Sequence, residues 1–100
     1  MTSRPVGLRE LDDIDAVFNA LAHRNRRQIL TVLRARGGTM TAGDLASRFE
    51  CSWPTTTRHL GVLHDAGLIR CERVGRQRHY TVDRERLQSV AGAWLDRFDA

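Results

Sequence analysis

Apolar residues recur along this chain at helical spacing, then in alternation, then at helical spacing again. Ile14, Val17, Phe18 and Leu21 form the first stripe, entered at Leu11. Asp12, Asp13 and Asp15 crowd toward its N-terminal end, where carboxylates suit the helix dipole. Ile29, Leu30 and Leu33 form a second stripe, with Asn25 as the candidate cap and Gly37-Gly38 as the stop. Thr39-Met40 has room only for a strand fragment. Thr41-Ala42-Gly43-Asp44 has the form of a capping box with Asp in place of Glu. Leu45, Ala46 and Phe49 continue it as a short third helix ending near Glu50.

Ser52 to Ala66 is the stretch around which the rest is arranged. Ser52 is a good cap, Pro54 fits a first helical turn, and Gly67 suits the position just past a helix end. Thr56, Leu60 and Leu63 share the inward face. Trp53, Thr55, Thr57 and Arg58 point elsewhere and offer hydroxyls, an aromatic ring and a guanidinium. Leu68 to Arg73 and Gln77 to Val82 then read as two strands joined through Val74-Gly75-Arg76. Asp83 caps a last helix with Leu87, Val90, Ala91, Trp94, Leu95 and Phe98 on one side. The predicted fold is mainly α with a small β-hairpin wing. It is a winged helix-turn-helix of about five helices and two to three short strands, with residues 1–10 as a loose leader and 11–100 as one DNA-binding and dimerisation domain.

Charge sharpens this picture through its placement. The formal charge is +4, and all 16 basic residues are arginines. One cluster holds Arg24, Arg26, Arg27, Arg34 and Arg36; the other holds Arg70, Arg73, Arg76 and Arg78. These clusters flank the Ser52 segment in sequence, a distribution suited to a polyanion. The candidate DNA contacts are therefore Ser52, Trp53, Thr55, Thr56, Thr57, Arg58 and His59 on the helix, with Arg73, Arg76 and Arg78 at the wing. A terminal helix carrying Trp94, Leu95 and Phe98 would expose a large apolar patch on a monomer. The expected dimer interface thus combines Ile14, Val17 and Phe18 with Leu87, Val90, Trp94, Leu95 and Phe98.

Other chemistry finds little support. Cys51 and Cys71 lack CxxC spacing, so no disulfide framework or zinc knuckle is indicated. A hairpin centred on Gly75 would set Cys71 opposite His79, but two ligands do not make a structural zinc site. There is no nucleophile–base–oxyanion set and no phosphate-binding glycine loop, so the chain is not read as an enzyme. No cofactor is expected. Neither a signal peptide nor an apolar run of membrane-spanning length is read, which makes a cytoplasmic protein with no membrane partner the expectation.

The order of elements, with Leu21-Ala22-His23, Arg26-Arg27-Gln28-Ile29-Leu30, Thr41-Ala42-Gly43-Asp44-Leu45-Ala46, Ser52-Trp53-Pro54-Thr55-Thr56-Thr57-Arg58-His59-Leu60 and Ala66-Gly67-Leu68, resembles the ArsR family of bacterial repressors. The likeness spans about residues 14 to 98 and includes Gly75-Arg76 and Tyr80. It implies a homodimeric repressor of a palindromic double-stranded DNA operator, with first and last helices at the interface. Positions matching Trp53, Thr55, Thr57, Arg58 and His59 would then face the major groove. Trp53 departs from the polar residue many members carry, which favours stacking on a sugar or a methyl contact over a base hydrogen bond. Metal-sensing members have a Cys-x-Cys-Asp-Leu stretch where Thr41 and Gly43 stand here. Others use histidines on the last helix, yet no histidine follows His79. Resemblance therefore implies a member without the usual metal sites, its inducer unassigned. Two alternatives remain at this point: a winged-helix module that binds protein, and a repressor switched by a thiol or a metal.

Overall fold

A computed structural model describes residues 6–99. The elements run α1 (Val6–Leu21), α2 (Arg24–Ala35), β1 (Thr39–Thr41), α3 (Ala42–Ala46), α4 (Trp53–Asp65), β2 (Ile69–Val74), β3 (Gln77–Val82) and α5 (Arg84–Leu87). A π-helical turn, Gln88–Gly92, and α6 (Ala93–Asp96) complete the C-terminal helix. The first helix begins at Val6, inside the stretch read as leader; residues 1–5 of that leader lie outside the described residues. Arg9 and Glu10 are exposed there and carry no apolar periodicity that could reveal a helix.

Local capping chemistry explains most of the helix boundaries. Ser52 Oγ accepts from the Thr55 amide at 3.4 Å, and Thr41 Oγ1 accepts from the Asp44 amide at 3.1 Å. Asp83 caps α5 through the Arg86 amide. The cap of α2 is His23, not Asn25: the imidazole Nδ1 accepts from the Asn25 amide at 3.2 Å. Only Ala22 and His23 separate α1 from α2, so the side chain that must serve is the one before the turn closes. The third helix stops at Ala46, four residues short of Glu50, as Ser47 turns its hydroxyl back onto the Asp44 carbonyl. At the end of α4, Gly67 adopts φ 77°, which lets the Leu68 amide return to the Leu63 carbonyl at 3.0 Å.

Three antiparallel strands lie in the order β1-β3-β2. The fragment Thr39–Thr41 pairs with Thr81 to His79, and the Thr39 and Thr81 hydroxyls meet at 3.0 Å. Gly75, at φ 64°, opens a two-residue turn between Val74 and Gln77. That turn is one residue longer than a centre on Gly75 would need, so Cys71 faces Tyr80 and Glu72 faces His79. The expected Cys71–His79 pairing is thereby removed, and no group of three or more potential metal ligands occurs among the described residues.

Helix α4 packs one face into the core. Leu60, Leu63 and Ala66 are buried together with Val17 and Ala20 of α1, Ile29 and Leu33 of α2, Leu45, Met40, Tyr80, Leu68 and Ile69. Each fully buried aliphatic side chain contributes roughly 1.5–3 kcal/mol relative to exposure. The C-terminal stripe divides: Val90 and Ala91 are core residues, whereas Leu95 and Phe98 are 64% and 71% exposed. Val90 and Ala91 lie within the π turn, whose extra residue shifts the phase of everything after it by about one position. Six residues that an unbroken α-helix would align are thus split between the core and the surface.

Candidate nucleic-acid interface

The first turn of α4 and the hairpin face each other across a cleft of about 400 Å³, whose lining includes Trp53, Thr57, Arg76, Arg78 and Tyr80. Four residues expected at a DNA surface from separate segments are therefore brought together. Arg58 is exposed on the next part of α4, and neither it nor Thr57 makes a side-chain hydrogen bond or ion pair among the described residues. Trp53 is 38% exposed and lines the cleft. Arg73 is exposed and stands across the hairpin from Arg78.

Other expected contacts are placed differently. Thr56 is 1% exposed; its hydroxyl donates to the Ser52 carbonyl and lies 3.2 Å from Cys51 Sγ. It belongs to the support of α4 and cannot reach a ligand on the surface. Cys51 is half-buried against it, while Cys71 is exposed. Ser52 Oγ donates to Thr55 Oγ1 at 3.0 Å, so these two hydroxyls hold the helix start together. His59 is 8% exposed and points inward.

His59 belongs to a cluster that ties α4 to α1. Arg26 donates from Nε to the Ala20 carbonyl at 2.8 Å and from Nη2 to the Asn19 carbonyl at 3.0 Å, capping the C-terminal end of α1. Its Nη1 reaches His59 Nδ1 at 3.3 Å. A guanidinium can only donate, so His59 accepts at Nδ1 and is neutral, its proton on Nε2. The His23 ring lies 4.4 Å from that of His59. Arg27 also caps α1, through the Leu21 carbonyl at 2.8 Å. Both arginines thus donate to backbone carbonyls at the end of α1.

A second tie sits at the C-terminal end of α4. Arg86 donates from Nε to the Ala66 carbonyl at 3.2 Å and from Nη2 to Asp13 Oδ1 at 3.1 Å. The orientation of α4 relative to α1 is therefore held by one arginine at the middle of α4 and one at its C-terminal end. Sequence reading missed both roles, because carbonyl acceptors on another helix leave no local signature around Arg26 or Arg86.

Burial, and then the positive charges of His23, Arg26 and Arg58, lower the His59 pKa below the ordinary value of 6.5. With the folded value below the unfolded one, the unfolded chain binds the extra proton first, so stability is full above 6.5 and falls as pH drops below it. Denaturant midpoints should decline as pH is lowered from 6.5. His59→Gln, which retains an acceptor for Arg26, should flatten that decline. An equal slope in wild type and variant would assign the effect to another group.

On the expected dimer surface, Val17 is fully buried and Val90 is 9% exposed within one chain, so both are core residues beneath that surface. Leu87 is half-buried and lines a cleft with α2. Phe18 and Trp94 meet edge to face at 6.4 Å, and Trp94 continues to Phe98 at 4.4 Å. Leu11, Leu95 and Phe98 remain exposed, with Ile14 half-buried. Arg97 and Glu10 approach to 4.0 Å near the same helices.

A short helix leading into a capped second helix, followed by a hairpin that faces its first turn, is the winged helix-turn-helix arrangement of DNA-binding domains. A family model described as a helix-turn-helix domain matches residues 21–72. The chain belongs to the ArsR family of DNA-binding transcriptional regulators. It is 40% identical over 82 residues to the transcriptional repressor SdpR of Bacillus subtilis (strain 168), covering 82% of this chain and 88% of that one. An ArsR-like transcriptional regulator from Rhodococcus sp. RHA1 superposes with TM-score 0.72 at 32% identity, over 87% of this chain and 86% of the other. The homodimeric winged helix-turn-helix domain of a possible ArsR-family regulator from Mycobacterium bovis shares the fold at TM-score 0.74 and 23% identity, over 97% and 90% of the two chains. Each of these relatives is named as a repressor or regulator of transcription. No described helix is long and apolar enough to cross a membrane.

Proposed function

We propose that the chain acts as a homodimeric repressor that binds a palindromic operator and occludes the polymerase. The observation that carries this reading is the cleft that joins Trp53 and Thr57 of α4 to Arg76 and Arg78 of the wing, with Arg58 exposed beside it. Helix α4 enters the major groove, where Arg58 reads a base edge and Trp53 lies against a sugar or a thymine methyl. The wing meets phosphates beyond the groove. The exposed Leu11, Leu95 and Phe98 support pairing of two copies through α1 and the C-terminal helix. The repressor named among the relatives and the homodimer of the same fold support this assignment.

Arginines at the wing contribute affinity without sequence information. Arg76→Ala or Arg78→Ala should weaken binding to all duplexes to a similar degree and reduce the salt slope by about 1 for each phosphate no longer neutralised. Gel-shift titrations across a salt series measure this. An unchanged slope removes the wing from the DNA-binding surface.

A further inference from the structure

A second cleft, also of about 400 Å³, opens between α2 and α5 and shares no residue with the cleft at the wing. Its two walls match. From α2 come Leu30, Thr31 and Arg34, one helical turn apart; from α5 and the start of the π turn come Leu87, Gln88 and Arg84. Each wall therefore offers an aliphatic residue, an uncharged polar residue and an arginine, with Val82 between them. None of the seven lining residues is acidic. Arg34 and Arg84 are exposed and make no ion pair among the described residues, whereas Arg86 and Arg97 nearby in sequence each meet a carboxylate. Leu30, Val82 and Leu87 are partly buried and continuous with the core.

We propose that this cleft binds a small carboxylate with an apolar body, such as an aryl acetate, and that the ligand is an effector of duplex binding. The two guanidiniums supply charge-assisted hydrogen bonds to one carboxylate. Leu30, Val82 and Leu87 cover the apolar part. The volume lies within the range of small-molecule sites. Coupling to DNA follows from position: Val82 ends the strand that carries Arg78, and its amide donates to the Gly38 carbonyl at 2.9 Å. An occupant held between α2 and α5 bears on the foot of that strand and so on the wing. The effector role rests on the DNA-binding reading above; the binding site does not.

The test is an amide-resolved NMR titration of the full chain, without DNA, using phenylacetate, its neutral isostere phenylacetamide, and acetate. Phenylacetate should saturate, with the largest shifts at Thr31, Val82 and Gln88. The other two should bind about tenfold more weakly or worse, one lacking the charge and the other the apolar body. Arg34→Gln combined with Arg84→Gln should abolish the response while leaving the remaining spectrum folded. Equal response to acid and amide, shifts centred elsewhere, or an unaltered titration of the double variant would overturn the site. With duplex added, saturating phenylacetate should change operator affinity about 5- to 150-fold. Binding without that change removes the effector role and leaves the operator reading intact. A chain that binds the ligand but no duplex overturns the operator reading and leaves the site. If the double variant loses duplex affinity with no ligand present, the two arginines serve the DNA and the proposal fails.

Discussion

Leu95→Glu combined with Phe98→Glu should convert the protein to a folded monomer and lower operator affinity by about 10²–10⁴-fold. Both side chains are largely exposed in the isolated chain, so the charges fall on solvent in a monomer and cost the fold little. In a dimer the same charges would be buried without partners, which is strongly unfavourable. The affinity loss follows because a monomer holds one half-site, and binding to the second half-site ceases to be intramolecular. Sedimentation gives the mass, and circular dichroism shows whether the helices persist. A dimer that survives both substitutions moves the interface away from α6. Trp94 is the poorer probe, since its ring packs on Phe18 of the same chain and its loss would confuse folding with assembly.

Arg58→Ala should weaken binding to the preferred operator by about 1–3 kcal/mol per half-site while affecting random duplex much less. Two identical half-sites far enough apart to act independently make that about 2–6 kcal/mol for the dimer. The selectivity between them arises because a guanidinium on a guanine edge distinguishes bases and one on a phosphate does not. Arg58 suits this role because its side chain is exposed and makes no hydrogen bond or ion pair within the described chain. Stability should be unaffected. Binding titrations against the operator and variants altered one base pair at a time provide the readout. A uniform loss on every duplex would make Arg58 a phosphate contact, and no loss would take it off the DNA face.

The fold was legible where local chemistry sets local structure. Ser52, Pro54 and Gly67 bound α4 by capping rules that need no tertiary context, and Gly75 marks the turn of the hairpin. Register needed more: the turn takes two residues instead of centring on one, and that single step moves Cys71 from His79 to Tyr80. Burial was harder still. Helical spacing put Thr56 on the inward face, where its hydroxyl is satisfied by the helix itself, so it could not also be a DNA contact; His59 lies inward because Arg26 supplies a donor from another helix. Helical periodicity alone puts Val17 and Val90 on the dimer surface, yet the core claims them. A stripe shows that a face is buried and leaves open what buries it. The π turn at Gln88–Gly92 had no counterpart in the pattern, since an inserted residue is visible only once the phase after it has been observed.

Arg26 and Arg86 give these observations a common mechanical meaning. Each links α4 to α1, one through His59 and one through the Ala66 carbonyl. If α1 belongs to the dimer interface, the same ties set the angle between the two copies of α4. The distance between half-sites then depends on residues that touch neither DNA nor the partner copy.

Selection of bound duplexes from a random pool, followed by footprinting of the enriched sequence, decides whether two copies of α4 read one operator together. The expected product is an inverted repeat protected on one face, with half-site centres about 34 Å apart, one turn of the double helix. Enrichment of a single asymmetric site, or of no sequence at all, would contradict a paired reader.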